Sequence, residues 1–365
     1  MSRKKILHLI SGLEIGGSET QLLRILPKLQ EYHENEVCCV RGHGPIGKQL
    51  EENGVPVHYL DLKGLSDLSV IKRFYLVVKK FSPDILVTYL IHADLYGRIF
   101  GKLFGIKKIV SSKRGALLQW EWLSHIDRLT KFMVSHYLVQ TKSAQEEWMG
   151  KLNLPKEKFS IVPNGMRTSD FELSFDKVRE RKLLHIDSSS SVIVCVARLR
   201  RGKGHEVLLK AFETLYKKNP NTTLLLVGDG ERESELKGQI ENYKSKNNVH
   251  FLGNRSDVPL ILALSDLFIL PTEGEGMSNA IMEAMAAGLP IITTDIPENR
   301  DLIEEGRTGI LFPVSNEKIL LDKISFLLEN TKLREYLGKN ARKEAQEKYD
   351  VEKVVLKFAE LYKRI

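Results

Sequence analysis

The chain has 365 residues, of which 42% are hydrophobic and 28% charged. That is the make-up of an ordinary globular protein, and at roughly 150 residues per domain it suggests two domains. No window approaches the roughly 18 consecutive apolar residues of a membrane span, which excludes an integral helical membrane protein. The net charge of +8 is lopsided: residues 1–170 hold 25 Lys/Arg against 17 Asp/Glu, while the remainder holds 30 of each.

In chain order, the basic start Met1–Lys5 precedes an apolar run, 6–10, that is too short for a signal sequence and contains His8, so it reads as a first strand. The turn Gly12-Leu-Glu-Ile-Gly16-Gly17 follows, and then a helix from Ser18. Its spacing is not the dinucleotide fingerprint G-x-G-x-x-G, but it lets backbone approach a phosphate. Further strand-like runs fall at 36–40, 55–60, 84–90, 108–112, 137–140 and 159–162, with helical stretches between them, the longest around 119–134. Repeated alternation of helices with strands of unbroken apolar character argues a parallel sheet covered on both faces, with ligands beyond the strand C-termini. His92 and Asp94 follow one such end; Lys113 and Arg114 follow another. Two stretches here, 69–81 and 96–108, mix Lys/Arg with Phe, Leu and Ile at helical spacing. They fit either an anionic membrane surface or ordinary surface helices with a basic outer face. Nucleic acid is not expected as a partner, because basic and aromatic residues do not interleave and no nucleic-acid motif is present.

Pro163-Asn-Gly165 closes this half, and the polar stretch 166–190 reads as a linker region. The pattern then restarts. A strand at 191–197 leads into the basic turn Arg198–Gly204 and a helix at 205–217. Strands follow at 223–227, 249–252, 266–270, 290–293 and 309–312, then helices at about 316–329, 331–347 and 351–363. Cys38, Cys39 and Cys195 lie in strand-like runs without metal-ligand spacing. They read as reduced, buried thiols of a cytoplasmic protein.

The stretch that organises the second half is Glu275-Gly-Met-Ser-Asn-Ala-Ile-Met-Glu283. It begins in a Gly/Glu-rich loop after the 266–270 strand and runs into a helix that Ser278 or Asn279 caps and Gly288 ends. Two carboxylates flank the N–H groups of a helix N-terminus, where a phosphate binds well. A nucleotide sugar needs such an arrangement; two solvated acids on a strand-loop-helix unit are the plainer reading. Arg198 and Lys203 lie at the edge of another strand of the same sheet. They fit either a diphosphate, as fork and point charge, or a merely solvated basic turn.

Together these residues resemble the retaining glycosyltransferases of GT-B fold, family 4 (glycosyl transferases group 1). The resemblance rests on Gly16-Gly17-Ser-Glu19, Val162-Pro-Asn-Gly165, Ala197-Arg-Leu-x-x-x-Lys-Gly204, Leu226-Val-Gly-Asp-Gly230, Phe251-Leu-Gly253 and the long context of Pro271 to Pro290, which contains an E-x7-E pattern. It covers essentially the whole chain. It implies an α/β protein with two Rossmann-like doubly wound domains facing a central cleft. These are an acceptor-binding domain at 1–170, a nucleotide-sugar domain at 171–347, and a C-terminal helix at 348–365 that crosses back to the first. It implies that Arg198 and Lys203 bind the diphosphate and stabilise its departure. Glu275 contacts the transferred sugar, Gly276, Met277, Ser278 and Asn279 seat sugar and phosphates, and Glu283 accepts the ribose hydroxyls. Gly16 and Gly17 let the first domain's backbone approach the donor.

No metal and no cofactor are expected, the two cations taking a metal's part. Many relatives place a His where this chain has Ser111-Ser-Lys-Arg-Gly115, so Arg114 or His92 is the acceptor-side candidate. The function implied is transfer of a hexose or N-acetylhexosamine from a nucleotide diphosphate, UDP by preference. The acceptor is a glycan or a lipid-linked one in cell-surface polysaccharide or glycoconjugate synthesis, on the cytoplasmic side and peripheral to the inner face of the membrane. A sugar-nucleotide epimerase on the same fold and a non-catalytic nucleotide-sugar-binding protein are the alternatives. Retention of Arg198, Lys203 and Glu275 speaks against the second. NAD chemistry is disfavoured because Gly228-Asp-Gly230 lacks a third glycine.

Overall fold

The computed structural model describes residues 3–64, 67–114 and 121–365. The chain divides into two compact units, residues 1–166 with 350–365, and residues 167–349.

In the first unit seven strands form one sheet: β1 (Lys5–Ile10), β2 (Glu34–Cys39), β3 (Val57–Tyr59), β4 (Ile85–Tyr89), β5 (Lys108–Ser112), β6 (His136–Val139) and β7 (Phe159–Ile161). Their order is β3-β2-β1-β4-β5-β6-β7. Every pairing is parallel, with Ile6–Ile10 of β1 lying beside Ile85–Tyr89 of β4. The apolar strands need cover on both faces. On one face the helix Gly17–Leu29 and the final helix Val351–Arg364 pack together, burying Ile25, Leu26 and Leu29 with Val354, Val355, Phe358 and Tyr362. On the other lie the helices Ser69–Phe81 and Ile91–Leu103, joined by Phe74 against Tyr96 and Phe104 at ring separations of 5.5 and 5.8 Å. The last helix therefore completes the core of the first unit, as the family resemblance implies.

The second unit repeats the scheme with β8 (Ser191–Val196), β9 (Thr222–Val227), β10 (Val249–Gly253), β11 (Leu267–Leu270), β12 (Ile291–Thr294) and β13 (Ile310–Phe312). The order is β10-β9-β8-β11-β12-β13, again all parallel. Both units are thus doubly wound, and in each the strand order reverses at the first strand.

Three readings need correction. The stretch 166–190 is not a free linker: it forms a short 3-10 turn, Thr168–Phe171, and a helix, Lys177–Leu183, capped by Asp176. One buried guanidinium anchors it. Arg181 donates to the carbonyls of Leu264 and Ser190 at 2.8 and 2.9 Å and to Asp266 Oδ2 at 2.8 Å. The basic stretch 96–108 is helical only as far as Leu103, because Gly105 turns the chain at φ +84° into β5. The long helix expected around 119–134 is seen as Glu121–Thr130 followed by a 3-10 turn, Lys131–Met133; its expected start lies outside the described residues.

Candidate functional site

The strand-order reversal of the second unit falls between β8 and β11, which pair directly through Ile193 and Val194 with Leu267 and Phe268. In doubly wound sheets the crevice at such a point is where ligands bind. The basic turn leaves β8 there, and the acidic loop leaves β11.

The two segments interlock through backbone. Gly204 has φ +69°, and a Cβ on it would lie 2.0 Å from the Pro271 carbonyl oxygen; only glycine fits. The Glu273 N–H donates to the Gly202 carbonyl at 2.8 Å. On its other side the turn rests on the Gly228–Gly230 loop, where Leu199 N–H donates to the Asp229 carbonyl at 2.7 Å. A Cβ on Gly228 would fall 2.1 Å from the Ala197 carbonyl. The Gly-Asp-Gly turn thus seats the basic turn by close backbone packing.

The interlock brings two of the expected site residues together. Lys203, buried at 9% exposure, pairs through Nζ with Glu275 Oε1. Arg198 begins the same turn and is exposed. Gly276 is half-buried and Met277 buried. Of the two capping candidates it is Ser278 that caps the helix Asn279–Ala287, its hydroxyl accepting the Ile281 N–H at 3.4 Å. Gly288 ends that helix in the left-handed conformation at φ +74°. Asn279 is its first residue. Glu283 is its fifth, so it lies little more than one turn in, and it is half-buried. By helix geometry the first-turn N–H groups have no carbonyl of their own helix to bond, and Ser278 takes the one at Ile281, so this N-terminus, four residues after Glu275, favours an anion.

The first-unit candidates are more dispersed. Gly16, in extended conformation, caps the helix that begins at the exposed Gly17. His92 is exposed in the first turn of the Ile91–Leu103 helix. Arg114 follows β5, donating from Nε to Ser112 Oγ at 3.1 Å and from Nη1 to Asn164 Oδ1 at 3.0 Å. Its guanidinium lies 5.5 Å from the Tyr89 ring centroid. Lys113 points elsewhere: its Nζ donates to Asp94 Oδ2 at 2.7 Å and Asp127 Oδ1 at 2.8 Å, and Arg98 joins the same two carboxylates. Burial opposes charge on Asp94, but Lys113 and Arg98 outweigh it and hold the carboxyl down at about 2. The i,i+4 spacing of Asp94 and Arg98 was a signal for this cluster; Lys113, after β5, and Asp127, on the helix Glu121–Thr130, are the other two members.

His8 and His205 are both buried. Burial lowers His8 and His205 to about 4. His8 Nε2 lies 3.0 Å from Asn35 Oδ1, an acceptor, so Nε2 carries the proton and Nδ1 accepts from Tyr89 OH at 3.0 Å. The three cysteines are buried free thiols.

Fold and site together define a class, the GT-B glycosyltransferases. The Glycosyltransferase Family 4 model matches residues 15–170 and the Glycosyl transferases group 1 model residues 176–344. The chain belongs to this family of glycosyltransferases. It is 27% identical to the UDP-Gal:alpha-D-GlcNAc-diphosphoundecaprenol alpha-1,3-galactosyltransferase of Escherichia coli, over 99% of this chain and 97% of that one. It is 26% identical to the capsular polysaccharide biosynthesis glycosyltransferase CapM of Staphylococcus aureus, over 96% and 94%. Among solved structures, HepE of Anabaena, crystallised with UDP, superposes with a TM-score of 0.89 at 22% identity, over 99% of this chain and 100% of that one.

Proposed function

We propose that the chain is a retaining hexosyltransferase that takes a hexose or N-acetylhexosamine from a UDP-sugar. Its acceptor in this reading is a lipid-linked glycan in cell-surface polysaccharide synthesis. One observation carries the reading: Lys203 and Glu275, from turns 72 residues apart, meet at the strand-order reversal beside the N-terminus of the Asn279–Ala287 helix. Lys203 and Arg198 take the diphosphate, exchanging Glu275 for phosphate oxygens, and their charge stabilises the leaving group. Glu275, released, meets the sugar hydroxyls. Gly276 to Asn279 seat the sugar and phosphates, and Glu283 takes the ribose. These cations do what a metal does in other enzymes, so transfer proceeds without one. The relatives' names support the nucleotide and the acceptor class: one uses UDP-Gal on a diphosphoundecaprenol-linked sugar, and another makes capsule.

Arg114 faces the acceptor's phosphate in this reading. The helices Ser69–Phe81 and Ile91–Leu103 set exposed Leu76 and Leu103 among exposed Lys72, Lys79, Lys80 and Lys102. That composition suits an anionic bilayer where a lipid-linked acceptor resides, on the cytoplasmic side. Among the described residues no helix is long and apolar enough to cross a membrane.

Two measurements test the reading. A thermal-shift screen against UDP, GDP, ADP and NAD should show UDP raising the melting temperature, and Lys203→Ala and Glu283→Ala should weaken that shift. A shift with NAD alone would overturn the assignment. Flotation at low salt should favour vesicles containing anionic lipid; equal recovery with neutral vesicles would remove the membrane from the reading.

A further inference from the structure

Beneath the acidic loop lies a run of four fully buried polar side chains that the donor chemistry does not itself use. Thr272, Thr293, Thr294 and Asn299 are each 0% exposed. Asn299 Nδ2 donates to Thr293 Oγ1 at 2.9 Å and to Thr294 Oγ1 at 3.1 Å. The Thr294 hydroxyl donates to the Thr272 carbonyl, and the Thr293 hydroxyl to the Leu270 carbonyl at 2.7 Å. The Thr272 hydroxyl then lies between two carbonyls, 3.1 Å from Gly202 and 3.0 Å from Gly274. Gly202 immediately precedes Lys203, and Gly274 immediately precedes Glu275. One hydroxyl thus bonds to the peptide before each partner of the ion pair. The run leads from Asn299, after β12, to the backbone at Leu270 and Thr272, and the Thr272 hydroxyl leads on to Gly202, in the turn after β8, and to Gly274, in the acidic loop.

Resting on the donor-site reading above, we infer that Thr272 is a positioning residue that fixes the spacing between the diphosphate-binding turn and the sugar-binding carboxylate. The turn also touches the loop through Gly204 against Pro271 and through the Glu273–Gly202 bond. Those contacts hold the two segments in place. Thr272 is the only side chain among the described residues recorded as donating to both Gly202 and Gly274. Loss of its hydroxyl leaves Lys203 and Glu275 on their segments but frees their relative register. The donor's phosphates and sugar can each still be held. They are no longer held at the separation reached as the glycosidic bond breaks. Errors of this kind act on the transition state more than on ground-state binding.

The experiment compares Thr272→Val, which keeps the branched shape without the hydroxyl, with Thr272→Ser, which keeps the hydroxyl. UDP release from UDP-galactose, UDP-glucose and UDP-N-acetylglucosamine is followed without acceptor, and UDP affinity is measured by calorimetry. Thr272→Val should lower kcat at least tenfold while donor KM and UDP affinity stay within about threefold. Thr272→Ser should stay within about threefold of wild type in all three quantities. The inference is overturned if Thr272→Val turns over like wild type, if it loses UDP affinity in step with kcat, or if Thr272→Ser is equally impaired. Should Thr272→Val fail to fold, Thr294→Val removes the proton that the Thr272 carbonyl accepts. It should lower kcat with the same split, and wild-type turnover in it counts against the inference. Lys203→Ala run alongside separates the two levels. Wild-type UDP release in Lys203→Ala, or a wild type that neither binds UDP nor releases it, defeats the donor reading and the inference with it. Loss in Lys203→Ala with full activity in Thr272→Val defeats the inference alone.

Discussion

Each unit carries a lysine just beyond the C-terminal end of a strand, with its ammonium held by carboxylate, and the two are built to opposite ends. Lys113 in the first unit is shared by Asp94 and Asp127, joined by Arg98, and lies 4.5 Å from the Trp148 ring centroid. Two cations face two anions, all four nearly inaccessible. Such a cluster is internally neutral and has nothing to offer a ligand; it ties β5 to the Ile91–Leu103 and Glu121–Thr130 helices. Lys203 in the second unit has one recorded carboxylate partner, on a loop, with the two side chains 11% and 14% exposed. In the donor reading, phosphate oxygens take that partner's place. Burial alone does not separate a structural charge from a working one. In that reading the number of compensating groups does.

The largest test of this contrast is Asp94→Ala. It leaves two buried cations to one carboxylate, and breaking a buried pair in this way costs about 3–5 kcal/mol. Urea denaturation should show that loss while the folded fraction binds UDP with unchanged affinity; weakened UDP binding in folded protein would mean the cluster serves the donor after all. Next in size is Lys203→Ala. It should lower sugar transfer by about 10²-fold or more, as expected for loss of one preorganised charge, with little change in urea midpoint. Turnover at the wild-type rate would dissolve the distinction drawn here. The smallest effect, and the sharpest, is that of Glu275→Gln. It frees Lys203 from its resident partner, so UDP affinity measured by calorimetry should rise about threefold while transfer falls. Weaker UDP binding would show that Glu275 orients Lys203 rather than competing with the diphosphate.

The fold was legible because parallel strands buried on both faces are written as unbroken apolar runs, such as Val192–Cys195 and Leu267–Leu270. The E-x7-E pattern and the basic turn were legible because each is a short local segment with a strand before it. Their meeting was legible only as far as doubly wound topology implies it. Residues 166–190 were misread because Arg181, one of several charges in a polar stretch, is buried through the carbonyls of Leu264 and Ser190 and the carboxylate of Asp266. No local pattern announces such a bond. The Thr272–Asn299 run was missed for a related reason. Threonine is at home in strands, and the hydrogen bonds that set Thr272 apart reach to Gly202 in one direction and Thr294 in the other.

The final helix, Val351–Arg364, shares a core with the helix Gly17–Leu29, and Val351 N–H bonds to the Met166 carbonyl at 2.8 Å. The second unit is therefore an uninterrupted insertion within a discontinuous first one. During synthesis the first 166 residues wait, with Ile25, Leu26 and Leu29 uncovered, until the helix at 351–364 has emerged. The inserted unit, contiguous from 167 to 349, has every strand of its own sheet before then. The usual order, in which the N-terminal domain is finished first, is reversed. The half made earliest is completed last, and a ribosome that stalls before residue 351 leaves a chain whose second unit can fold but whose first cannot close its core.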